Sequence, residues 1–165
     1  MESKPLFFEK QNFRQWWIYV LLLGLLALFV YGCIVQIGMG ITFGDKPMSD
    51  AGLIVFTGAY SLFVAFFLWQ HLLTKVDTEG IHYRFIPYHG KWRTFTWDSI
   101  SSVEVKEYSP LSEYGGWGLR LGCVNTSGNK GMLIRFHERS SFMIGTQKVE
   151  ELKATLEQAG KLKDI

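Results

Sequence analysis

The chain has 165 residues, a formal net charge of +2 and two cysteines. That length leaves room for one modest soluble domain beside a pair of membrane spans and excludes two soluble domains, because a core needs on the order of 100 residues. The small, interspersed charge excludes the long-range field that gathers nucleic acid, and the isolated Cys33 and Cys123 exclude a disulfide framework.

Taken in chain order, the first feature is Trp16 to Ile37, WWIYVLLLGLLALFVYGCIVQI, which carries no charge. At about 1.5 Å per residue such a run crosses the roughly 30 Å hydrocarbon layer of a bilayer as a helix. A secretory signal peptide has an apolar core of about 7–15 residues ending in a small-x-small cleavage site, a pattern this run lacks. Gly38 to Asp50, with Gly38, Gly40, Gly44, Asp45 and Pro47, reads as a turn, and a second uncharged run follows from Ala51 to Leu73. Backbone polar groups in lipid must be satisfied internally, so the expectation is a helical hairpin with spans at about 16–37 and 51–73, within an N-terminal unit of residues 1–75.

Trp16, Trp17 and Tyr19 at one end and Trp69 at the matching end form an aromatic belt. Lys4, Lys10 and Arg14 precede the first span and Lys75 and Arg84 follow the second, against Lys46 in a loop that also holds Asp45 and Asp50. This bias predicts a multi-pass membrane protein with both termini cytoplasmic. Gly58, Ser61 and Ala65 form a small-residue stripe on the second helix, expected to pack on the first helix near Gly24 and Ala27 or to serve oligomerisation. The spans carry no ionisable group near their centre, which argues for an anchor rather than a transporter.

From residue 76 to 165 the pattern alternates, as strands with one wet face do. Ile81, Tyr83 and Phe85 define one strand; Val103 and Val105 a second; Leu119, Leu121 and Cys123 a third; Met132 to Phe136 and Phe142 to Ile144 two more. Turns are expected at Glu79-Gly80, His89-Gly90, Tyr114 to Gly118, Ser127 to Gly131 and Glu138 to Ser141. Five to seven short strands at this spacing predict a mainly-β sandwich or barrel that folds independently. A helix at about 147–159, with Thr146 as N-cap and Val149, Leu152, Leu156 and Ala159 as its apolar stripe, is expected to cap the barrel.

The alternating strands, the single C-terminal helix, the upstream span pair and the segment Phe95-Thr96-Trp97-Asp98-Ser99-Ile100 resemble bacterial pleckstrin-homology-like domains attached to membrane hairpins. More narrowly, Tyr108-Ser109-Pro110-Leu111, Tyr114-Gly115-Gly116-Trp117-Gly118, Ser127-Gly128-Asn129-Lys130-Gly131 and Gly145-Thr146-Gln147-Lys148 are similar to segments of a group of bacterial two-span proteins. That group often has a proline where this chain has Val149. The resemblance implies a fold class, a membrane helical hairpin followed by a pleckstrin-homology-like domain with a C-terminal capping helix, and implies no activity.

No G-x-S-x-G, P-loop or dinucleotide fingerprint occurs, and His71, His82, His89 and His137 lack metal-ligand spacing. The expectation is a non-enzymatic protein without cofactor or metal. Gly115-Gly116-Trp117-Gly118 leads into a strand and reads as a turn rather than a phosphate loop. Asp98 is expected to cap a helical turn at Ser99 to Ser102. The remaining cluster is Arg84, His89, Lys91 and Arg93 around the His89-Gly90 turn. Its spacing resembles the basic hairpin that many eukaryotic pleckstrin-homology domains turn toward phosphoinositide headgroups, and it also fits a solvated turn or a general attraction to anionic lipid. The expected partners are the bilayer, and either anionic lipid or a membrane-protein partner.

Overall fold

The computed structural model describes residues 5–160. Lys4, counted in the basic flank, lies outside them. The chain divides into a helical unit, Gln15–Trp69, and a β unit formed by the segment up to Arg14 together with the chain from Gln70 onward.

In the helical unit, α1 spans Trp16–Cys33 and continues through a π-helical turn, Ile34–Gly38, while α2 spans Asp50–Trp69. Together the first helix and its extension make 23 residues and the second makes 20, each enough to cross a membrane at about 1.5 Å per residue. Leu53, Thr57, Tyr60 and Val64, spaced four, three and four, form the face of α2 turned to α1. The Tyr60 hydroxyl donates to the Leu22 carbonyl at 3.2 Å, the Thr57 hydroxyl meets Cys33 Sγ at 3.4 Å, and Phe29 lies edge-on to Phe56 and Tyr60.

The expected stripe is not at this contact. A Cβ added at Gly58 or Gly24 meets open space, and the Ser61 hydroxyl turns back to the Thr57 carbonyl. Large aromatic and β-branched residues fill the seam instead, so small residues are not needed for close approach there. Close approach occurs at Gly32, where a Cβ would fall 2.8 Å from the Phe43 ring. In the connecting loop the Gln36 amide donates to the Met48 carbonyl and to Asp50 Oδ1 at 2.8 and 2.7 Å.

The β unit begins with a strand absent from the sequence expectations. β1, Phe7–Asn12, pairs antiparallel with β2, His71–Val76, with Phe7 opposite Val76 and Asn12 opposite His71. The second apolar run therefore stops being helix at Trp69, not at Leu73. Leu72, Thr74 and Val76 point inward from β2, and Leu72 and Val76 are fully buried. The independent unit predicted at 76–165 thus lacks two strands that belong to it.

β3, Gly80–Ile86, and β4, Arg93–Thr96, complete an antiparallel sheet in the order β1-β2-β3-β4. A short 3-10 turn, Trp97–Ser99, holds Asp98 within it, with Thr96 at its N-cap. The strand β5, Ile100–Glu107, starts where the sequence predicted a capped helical turn, because Val103 and Val105 are drawn into the core. α3, Pro110–Tyr114, is followed by β6, Gly118–Arg120, β7, Cys123–Asn125, β8, Lys130–Phe136, and β9, Phe142–Gly145. Leu119 to Cys123 is therefore not one strand; it contains a turn with Leu121 fully exposed. The second sheet runs β5-β8-β9-β7-β6, with β7 and β9 parallel and the other pairs antiparallel.

α4, Val149–Gln158, buries Leu152, Thr155 and Leu156 and lies against β1. Lys148 is its N-cap residue; Thr146 instead accepts the Lys148 amide and donates its hydroxyl to Glu9.

The segments that carried the resemblance have structural work. Ser109 caps α3, with Pro110 in its first turn, and Gly115 ends it in a left-handed conformation. The Asn125 side chain donates to the Tyr108 hydroxyl and accepts from the Gly118 amide, both at 2.9 Å. At Gly145 a Cβ would stand 2.8 Å from that of Asn125, so only glycine allows this approach.

Candidate functional site

Two polar clusters and one pocket concentrate chemistry in the β unit. The first cluster surrounds Glu9, a buried residue of β1. Its carboxylate accepts from the Thr146 hydroxyl and the Gln147 amide at 2.7 Å and from the Gln11 side chain at 3.1 Å. Burial pushes this carboxyl above its ordinary range, with these donors and Lys148 opposing the shift. Gln11 also donates to the Gly145 carbonyl at 2.7 Å. These hydrogen bonds tie β1 to the start of α4.

The second cluster closes the β2–β3 turn. His82 Nε2 lies 2.9 Å from Asp77 Oδ1 and Nδ1 lies 2.8 Å from the Thr94 hydroxyl. Asp77 also accepts the Glu79 and Gly80 amides and pairs with Lys75 at 3.3 Å. Asp77, Glu79 and His82 could be grouped as metal donors. Both His82 nitrogens and the Asp77 carboxylate are already engaged, so the geometry is that of a tied turn. Burial pushes the Asp77 carboxyl up, but the hydrogen bonds from His82 and the Glu79 amide outweigh it and bring the group down to about 2.

That shift gives a prediction. The folded state holds Asp77 below its ordinary 3.8, so its contribution is present above that pH and is lost as pH falls toward about 2. Denaturant unfolding across this window should show the parent losing on the order of 2 kcal/mol more than Asp77→Asn. Parallel curves would mean that the carboxylate does not hold the turn.

The pocket opens between the β3–β4 turn and the β8–β9 turn and encloses about 570 Å³, within the range of small-ligand sites. Tyr83, Phe95 and Phe142 line it as a connected aromatic surface, with ring centroids 5.2–5.4 Å apart. Lys91, Arg93 and Arg139 supply its charge, and no carboxylate lines it. The Arg139 guanidinium stands 3.7 Å over the Phe136 ring and 4.6 Å over Phe95, a stacked position that fixes its plane. Burial raises the Tyr83 phenol, while the charges of Arg93 and then Arg139 pull it down, so both cations act on the same group.

Of the residues grouped by sequence, the structure brings His89, Lys91 and Arg93 together and sets Arg84 apart. Arg84 alternates to the other face from Tyr83, and its Nε donates to the His89 carbonyl at 3.1 Å, holding the turn rather than offering charge. His89 lines the pocket with its ring edge-on to Tyr83, and its Nδ1 accepts the Phe85 amide. Burial, then the Arg93 charge, lowers its pKa below the ordinary 6.5, so it is neutral at pH 7. Arg139 was missed because Glu138-Arg139-Ser140-Ser141 reads only as a turn; nothing local marks a cation that crosses to the opposite sheet.

The register places this pocket in the sheet. Asn12, His71 and Ile86 are successive neighbours across β1, β2 and β3, so the turn after Ile86 lies at the same end of the sheet as the end of β1 and the start of β2. Comparison with protein-family models, with curated proteins and with solved structures found no match.

Proposed function

We propose that this chain is a membrane-anchored, non-enzymatic binding module, in which a pleckstrin-homology-like domain presents its basic, aromatic pocket to anionic lipid at the cytoplasmic face of a bacterial inner membrane. The observation that carries this reading is that both apolar helices are inserted in the chain between the neighbouring strands β1 and β2 of the sheet whose β3–β4 turn holds Lys91 and Arg93. Pairing of Asn12 with His71 requires the two ends of the hairpin to emerge on one side.

Among the described helix residues only Leu22, Gly32, Leu53 and Val64 are buried, while Val55 and Leu62 are more than two-thirds exposed. A core helix of a soluble protein would hide such side chains, and lipid would cover them here. A four-stranded antiparallel sheet, a second sheet and a closing helix support the pleckstrin-homology-like reading. Basic residues near a bilayer contribute on the order of 1 kcal/mol each toward anionic lipid.

Topology is tested with single cysteines at Lys46 and Ser140. Cys33→Ser removes the reactive background, and Cys123 can stay because it is buried and its thiol is pushed up to about 12. A membrane-impermeant thiol reagent applied to intact cells should label position 46 and not position 140. The reverse pattern would overturn the cytoplasmic placement.

A second reading, an accessory subunit of a membrane enzyme or transporter, draws on Gly58, Ser61 and Ala65 lying outside the α1–α2 seam. Purification in mild detergent followed by mass analysis separates the two, since a stoichiometric partner protein would favour the subunit.

A further inference from the structure

We infer that the pocket between the two sheets selects a phosphomonoester group, held by Arg93 from β4 and Arg139 from the β8–β9 turn, with Lys91 at the rim. This rests on the reading of the pocket as the binding face and goes beyond it in naming the chemistry recognised.

Three observations carry it. First, among the described residues none of the three cations has a carboxylate within ion-pair distance, whereas Lys75, Lys130, Arg135 and Lys148 each do. Three uncompensated charges in one pocket suit a dianion better than a monoanion. Second, the two guanidiniums come from different sheets, and both act electrostatically on Tyr83, which lines the pocket with them. Planar guanidinium groups match phosphate oxygens two at a time, and a terminal phosphate offers three such oxygens where a diester offers two. Third, Arg139 is stacked on Phe95 and Phe136, so its orientation is set before a ligand arrives and less freedom is lost on binding. A solvated basic turn would draw all its cations from one hairpin, whereas here the exposed Lys91 and Arg93 are joined by an Arg139 from the other sheet that has aromatic support.

The same chemistry could come from a lipid headgroup or from a soluble phosphate ester. The two long apolar helices carried by the same chain favour the lipid source. The test uses the full chain in nanodiscs and follows acetylation of Lys91 by mass spectrometry, with Lys130 as internal reference.

Discs containing phosphatidic acid, whose headgroup is a phosphomonoester, should slow Lys91 acetylation about tenfold at ten times the half-saturating lipid fraction. Phosphatidylglycerol, a diester, should protect far less when matched for charge. Arg139→Gln should abolish the difference between the two lipids, and Arg139→Lys should restore only part of it, with melting temperature confirming that both variants fold. In phosphatidylcholine discs, protection by added glycerol 3-phosphate at concentrations that also saturate would support the same chemistry with a soluble source.

Equal protection by the two anionic lipids, or a difference that persists in Arg139→Gln, would overturn the inference while leaving general anionic-lipid contact intact. No protection by any anion would remove both it and the lipid-binding reading.

Discussion

Expressed alone, Val76–Ile165 will not fold, whereas a chain in which Arg14 is joined to Gln70 through a short glycine-containing turn will fold as a soluble, β-rich monomer with one helix. The shorter fragment lacks β1 and nearly all of β2, and with them half of the four-stranded sheet. It loses the fully buried Phe7 and Leu72, each contributing about 1.5–3 kcal/mol through burial. It also loses Glu9 and Gln11, leaving the buried Thr146 hydroxyl and Gly145 carbonyl without those partners. Such losses approach the whole stability of a small domain. In the joined chain, Asn12 and His71 are already paired neighbours, so a turn of a few residues can replace the helices without shifting the register. Circular dichroism and size exclusion of the two proteins decide the matter. A cooperatively melting Val76–Ile165 fragment would show that β1 is an accessory strand.

Leu156→Asp in the full chain should cost several kcal/mol and unfold the β unit while leaving the helical hairpin formed. Leu156 is wholly buried on the face of α4 that also buries Leu152 and Thr155. Removing a buried leucine to alanine costs about 2–5 kcal/mol, and burying an unpaired carboxylate adds a desolvation cost of its own. The comparison with Leu156→Ala separates the two contributions, since only the aspartate variant should regain stability as acid protonates it. Tryptophan fluorescence during denaturant titration in nanodiscs reports the β unit through Trp92, Trp97 and Trp117 once Trp16, Trp17 and Trp69 of the helical unit are replaced by phenylalanine. If the aspartate variant unfolds at the parent's denaturant concentration, α4 does not close the core.

Both helices, most of the alternating strands and α4 were legible because each follows an ordinary hydropathy pattern, a long uncharged apolar run, an alternation or an amphipathic stripe. The misses fall where that pattern is reversed or ambiguous. β1 buries Glu9 and Gln11 beside Phe7, so its hidden face is mostly polar and reads as a wet tail. Leu72 and Leu73 satisfy a span and a strand equally well, and only the pairing with β1 and β3 settles their place. Leu121 is apolar, in phase with Leu119 and Cys123, yet stands in solvent on a turn. The basic turn was visible as charge in a short segment, but its division into pocket residues and the turn-holding Arg84 depends on which side of β3 each one faces. Arg139 required the second sheet.

The insertion of the helices between β1 and β2 also orders the events of synthesis. β1 leaves the ribosome before either helix and cannot find its neighbour until residues 13–70 have followed. For a flexible loop of that length, closing the ends would oppose pairing by on the order of 4 kcal/mol. The α1–α2 seam, held by Phe29, Cys33, Thr57 and Tyr60, removes most of that cost by making the intervening chain a preformed hairpin. The antiparallel helices then act as the turn of an oversized β-hairpin. A route in which helix pairing precedes strand pairing predicts that substitutions in the seam slow formation of the β unit more than they speed its loss, and the reverse in stopped-flow folding and unfolding rates would rule that route out.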